Sequence, residues 1–129
     1  MSWQADFNYI LKNISAFNTG VGGRIDWPII EEGTVLPAAC FKGIDNDAKH
    51  TTTGTTWEYR DVQLEIHSAD GDEVITLANI LSNPENGIEG SSYGGIKNVF
   101  LIDDFDDKGT ETKTARIVHI YRVEYKKTE

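Results

Sequence analysis

The sequence predicts an α+β domain: a mainly antiparallel sheet of about four strands with two helices packed on one face. Two helix-period stretches flank a strand-rich middle, and several strand-like runs follow one another with short polar connections. The 129 residues fit one domain, 1–129, without internal repeat or boundary.

Residues 3–18 read as the first helix. Trp3, Phe7, Ile10, Ile14 and Phe17 recur at steps of four and three, which places them on one face. Gly20 and the Gly22–Gly23 pair end it. Residues 22–41, GGRIDWPIIEEGTVLPAACF, are too apolar for a solvated linker, and Pro28, Gly33 and Pro37 break them too often for a helix or long strand. Residues 38–45 read as a strand. Residues 46–56, with Ala48 as their one apolar side chain, read as a mobile loop.

WEYRDVQLEIHS, residues 57–68, reads as a strand with Val62, Leu64 and Ile66 facing inward and Gln63, Glu65 and His67 outward. Asp70 followed by Glu73 resembles a capping box. Val74, Leu77, Ala78 and Leu81 then mark a second helix, which Asn83–Pro84 stops. After a glycine-rich loop, residues 97–103 and 115–125 read as two closing strands joined by the acidic hairpin DFDDKGTETKT.

The formal net charge of −9 argues against wrapping nucleic acid, which requires clustered Lys and Arg. No apolar run approaches a membrane span, and the N-terminus lacks a signal-peptide pattern. With one cysteine, Cys40, no internal disulfide forms, so synthesis in a reducing cytoplasm is expected.

Motifs for chemistry are missing. His50, His67 and His119 lie far apart and belong to no HExxH or Cys–His pattern, so no metal site is expected. Cys40 reads as a small buried hydrophobe. The carboxylates Asp103, Asp104, Asp106 and Asp107 do not make an EF-hand: Lys108 and Ala115 fall where the loop needs oxygen ligands. No P-loop, dinucleotide fingerprint or GxSxG elbow is present, and neither catalysis nor a cofactor is expected.

The order of elements carries a resemblance. An amphipathic N-terminal helix leads to Gly23, Arg24 and Ile25, then to Pro28, and Pro37 precedes AACF. WEYRDVQLEIHS, the helix after Asp70 and a final strand ending RVEY follow. Over roughly residues 7–125 this resembles the tail completion, or tail terminator, proteins of long-tailed bacteriophages.

The resemblance implies a structural protein made in the host cytoplasm and carried in the virion at the head–tail interface. It implies a ring of this chain, typically six copies, that caps the tail tube protein, ends its polymerisation and meets the head–tail connector. DNA passes through such a ring without specific binding, which an acidic wall suits. In that setting Trp27, Ile29 and Ile30, with Glu31 and Glu32 at a wet rim, are interface residues. Lys49, His50, Thr52 and Trp57 join them, and Asp103, Asp104, Asp106 and Asp107 line the lumen or rim. A head-side adaptor or stopper is an alternative. So is a small-molecule-binding or enzymatic α+β domain, which predicts a deep pocket with convergent polar groups.

Overall fold

The computed structural model describes residues 3–30, 34–50, 55–108 and 115–128; side chains are described for 3–30, 34–44, 58–105 and 115–126. The elements run α1 (Trp3–Asn13), α2 (Ser15–Gly20), β1 (Ile25–Asp26), β2 (Ala38–His50), β3 (Thr55–Ser68), α3 (Gly71–Ser82), β4 (Ile96–Lys108) and β5 (Ala115–Thr128). The strands form one sheet in the order β1-β2-β3-β5-β4. All neighbours are antiparallel except β1 and β2, which run parallel. The α+β class holds, with five strands and three helices among the described residues where four and two were expected. Among the described residues no helix is long and apolar enough to cross a membrane.

The first helix is split. Ile14 leaves helical geometry at ψ 88°, and Asn18 N–H then bonds to Ile14 C=O to restart the spiral as α2. The apolar stripe survives the break. Trp3, Phe7, Ile10 and Phe17 are buried, and Ile14 is half-buried against the same cluster. Phe7 packs on Phe41 of β2 and Tyr121 of β5, with ring centroids 5.0 and 6.4 Å apart.

Helix α3 starts as its sequence suggests. The Asp70 carboxylate accepts from Asp72 N–H at 2.9 Å, satisfying one of the orphan amides of the first turn. The return half of the capping box is relayed through Ser68. Its hydroxyl donates to Glu73 and accepts from Asp70 N–H. Val74, Leu77, Ala78 and Leu81 face inward. All three helices share one hydrophobic cluster with the sheet face of Phe41, Val62, Leu64, Ile66, Ile117, Tyr121 and Val123.

Three expectations are corrected. Residues 46–50 and 55–56 are not loop: they extend β2 and β3, paired from Asn46↔Arg60 to His50↔Thr56, while 51–54 lie outside the described residues. Asn46, Asp47, Ala48 and Lys49 have low strand propensity, but their partner β3 is paired on both sides there, since Thr55–Glu58 also pair with Tyr125–Thr128. The acidic run is likewise a strand through Lys108, paired with Ala115, rather than a hairpin starting at Asp104. Residues 109–114 are outside the described set. Finally, Glu65 is buried, as described below.

The inward phase of β3 has a direct check. Leu64→Ala is expected to cost about 2–5 kcal/mol, because Leu64 is fully buried in the central cluster. Gln63→Ala, on the other face, is expected to stay within about 0.5 kcal/mol. Equal shifts of the two denaturant midpoints contradict this orientation.

The cluster also holds a titratable pair. His119 Nδ1 lies 2.6 Å from the Tyr121 hydroxyl, and both side chains are buried. Burial pushes the Tyr121 phenol far up, so it stays protonated beside the imidazole. Burial lowers the His119 pKa below 6.5, with the Asp104 carboxylate opposing the shift. The unfolded chain therefore binds a proton that the folded chain resists. This contribution leaves stability intact above pH 6.5 and lowers it as pH falls from there toward the folded pKa. Denaturant melts between pH 7.5 and 5.5 are expected to show that fall, and His119→Gln is expected to flatten it. An identical slope in both proteins contradicts the assignment.

Candidate interaction surface

The segment 27–37 leaves β1, which pairs Asp26 with Cys40, and returns into β2 at Ala38. It is anchored at two points: Arg24 Nε donates to Pro37 C=O at 3.1 Å, and a backbone hydrogen bond links Ile30 to the Cys40 sulfur. Its apolar side chains nonetheless point outward. Trp27 is 52% exposed, Ile29 63% and Val35 66%, while Ile30 is half-buried. Glu31 and Glu32 lie outside the described residues.

The sheet face turned away from the helices carries more exposed apolar surface. Residues directly opposite in a ladder share a face. Phe100 opposes Arg122, and Phe105 opposes Val118, which in turn opposes Glu65. Phe100 and Phe105 are each at least 40% exposed, and Ile102, at the register shift between Leu101 and Asp103, is exposed beside them. Single exposed apolar residues are ordinary; several on one strand and one loop mark a surface suited to a partner.

Lys49, His50 and Trp57 lie at the far end of the β2–β3 ladder, with Lys49 paired to Trp57 and His50 to Thr56; their side chains, and Thr52 altogether, are outside the description. The fold does not join this group to Trp27 and Ile29. Asp26 sits beside Cys40, so about ten residues of β2 separate the two groups, roughly 30 Å.

Asp103 and Asp104 are exposed on β4, an edge strand of the sheet, with Asp106 and Asp107 next along it. Charge on an exposed edge discourages unwanted strand pairing, which gives these carboxylates a role independent of any lumen.

On the back face, next to the 27–37 segment, the register assembles a polar cluster that the sequence spacing did not reveal. Cys40 opposes Glu65, and His67 opposes Arg116. Cys40 and Glu65 are buried and His67 is half-buried. Glu65 accepts a charge-assisted hydrogen bond from Arg116 Nη1 through Oε1. Its Oε2 lies 3.6 Å from Cys40 Sγ, and His67 Nε2 is 3.7 Å from Oε1. The adjacent His67 ring and the Arg116 charge hold the Glu65 carboxyl down at about 2, against burial. Burial and the Glu65 charge push the Cys40 thiol up to about 12. A thiol so raised is a poor nucleophile at neutral pH.

An open cleft of about 650 Å³ lies between the α1–α2 junction and residues 83–93, lined chiefly by Tyr9, Ile10, Ile14, Ile80, Glu85 and Tyr93. Tyr9 stacks on Tyr93 at 3.7 Å across its wall. Glu85 is the one charged side chain among the lining residues.

No family model matches the sequence, and no curated protein matches it. The fold does have a counterpart. A chain in the solved structure of the virion of a native gene transfer agent (GTA) particle superposes with a TM-score of 0.77. The match covers 98% of this chain and 96% of that one, at 15% sequence identity. At that identity the likeness shows a common fold.

Proposed function

We propose that this chain is a structural protein of a virion, and that it closes the end of a tail tube as a ring of identical subunits. The observation that carries the reading is the near-complete agreement of fold, along both chains, with a component of a virion particle. A virion component needs surfaces and no chemistry, and the segment 27–37 presents Trp27, Ile29 and Val35 to solvent.

A ring closes through a heterologous contact, in which two different patches on one subunit meet their complements on the next. The two separated groups, Trp27 with Ile29 and the Lys49–Trp57 end of the β2–β3 ladder, supply patches of that kind on distant parts of one subunit. The tube end and the head connector then occupy the two ring faces. DNA crosses the centre, where the net charge of −9 keeps the polyanion from sticking.

Particles assembled without this chain test the reading through tail length and head joining. A head-side adaptor instead leaves tails of normal length and disturbs the capsid exit.

A further inference from the structure

We propose that Cys40, Glu65 and His67 form a zinc-binding site on the back face of the sheet. The three donor atoms all lie within 4.8 Å of one another. Cys40 Sγ lies 3.6 Å from Glu65 Oε2, and His67 Nε2 lies 3.7 Å from the other carboxylate oxygen, Oε1. A tetrahedral zinc ion with Zn–S of about 2.3 Å and Zn–N or Zn–O of about 2.0–2.1 Å has ligand–ligand edges of about 3.3–3.6 Å. Turning the Glu65 carboxylate and the His67 ring would bring one carboxylate oxygen, the sulfur and the ring nitrogen, already within 4.8 Å of one another, to those edges.

The donor set selects the metal class. A thiolate, an imidazole and a carboxylate suit a borderline-soft divalent ion, whereas calcium and magnesium take oxygen ligands. The strands fix the geometry. Cys40 and Glu65 are a directly opposed pair on β2 and β3, and His67 lies two residues on, hence on the same face.

Outer partners are already in place. Arg116 holds Glu65 Oε1 and leaves Oε2 directed at the sulfur. The Ile30 backbone bonds to Cys40 from the overlying segment. Such contacts orient ligands and tune a bound metal. On binding, the thiol proton leaves to solvent, and the thiolate and carboxylate offset the dication, leaving Arg116 as the net positive charge of the site. A water completes the fourth position. The ion then ties β2 and β3 together.

Cobalt spectroscopy tests the site cleanly, because Cys40 is the only cysteine in the chain. The full chain, kept reduced with a phosphine and stripped of metal, is titrated with Co²⁺ and then Zn²⁺ near neutral pH. One equivalent of Co²⁺ is expected to produce a thiolate-to-cobalt charge-transfer band that Zn²⁺ displaces. Cys40→Ser is expected to abolish the band. His67→Gln, at a partly exposed position that tolerates change, is expected to weaken binding about tenfold or more, at least the loss that follows removal of an outer-shell partner. Two results overturn the proposal: no stoichiometric band from wild-type protein that is folded by circular dichroism, or a band of unchanged affinity in His67→Gln, which makes the ion a ligand of the thiol alone.

Discussion

Gly87→Ala is expected to destabilise the domain by about 3 kcal/mol or more, at the upper end of overpacking costs. Gly87 closes the turn after α3. Its N–H bonds to Asn83 C=O, and Ile88 N–H bonds to Leu81 C=O, both at 2.9 Å. A Cβ at this position runs into the carbonyl oxygens of Leu81 and Asn83 and comes within 2.9 Å of Asn83 N. These are backbone atoms that no rotamer change moves aside, so relief requires breaking the hydrogen bonds that end the helix. Ile88, fully buried just beyond, is pulled from the core with them. Gly71→Ala is the control. Nothing lies within 4 Å of a Cβ there, and the added side chain is expected to leave stability unchanged or raise it by about 0.4–1 kcal/mol through the unfolded state. Denaturant midpoints measure both, and equal values contradict the account of the turn.

Ile29→Asp is expected to leave the isolated subunit folded, within about 0.5 kcal/mol of wild type, because the side chain is already largely in solvent. Assembly is where the effect falls. A carboxylate placed in a desolvated apolar contact without a partner costs several kcal/mol, on the order of a thousandfold in affinity, and a ring repeats that cost at every interface. Ile30 is the less informative target, since it is half-buried against its own subunit. Wild-type stability of the variant with loss of rings by negative stain is the expected pair of results. Rings that persist at wild-type concentrations contradict the role given to this segment.

The legible parts of the fold were those where one face meets the core and the other meets water. Val62, Leu64 and Ile66 announce their face by alternation, and α3 announces itself by its 3.6-residue stripe and its Asp70 cap. Glu65 defeated the same rule, because Cys40 and Val118 flank it on the neighbouring strands and Arg116 compensates the buried carboxylate. Alternation reports which residues point together, and cannot say which neighbours the register will set beside them. Strand length failed for a related reason: Asn46–His50 and Asp104–Lys108 look like loop by composition, and inter-strand pairing overrides that preference.

Of the expected contact residues, Trp27 and Ile29 are exposed as a docking segment requires. The apolar character of 22–41, with its interrupting prolines, was the readable signal. Phe100 and Ile102 were not singled out as surface because an apolar run in a strand does not say which face of the sheet is uncovered, and Phe105 was read as part of the acidic hairpin. The Cys40–Glu65–His67 cluster was invisible to motif spacing, since it depends on the register that sets Cys40 opposite Glu65.

The central claim is that this chain ends a tail tube. The direct measurement is the length distribution of tails, by negative-stain electron microscopy, in particles made with the gene deleted and with it restored. Deletion is expected to give tails of uncontrolled length, unattached to filled heads, and restoration to return one length and joined particles. Tails of normal, uniform length joined to heads in the deletion contradict the account.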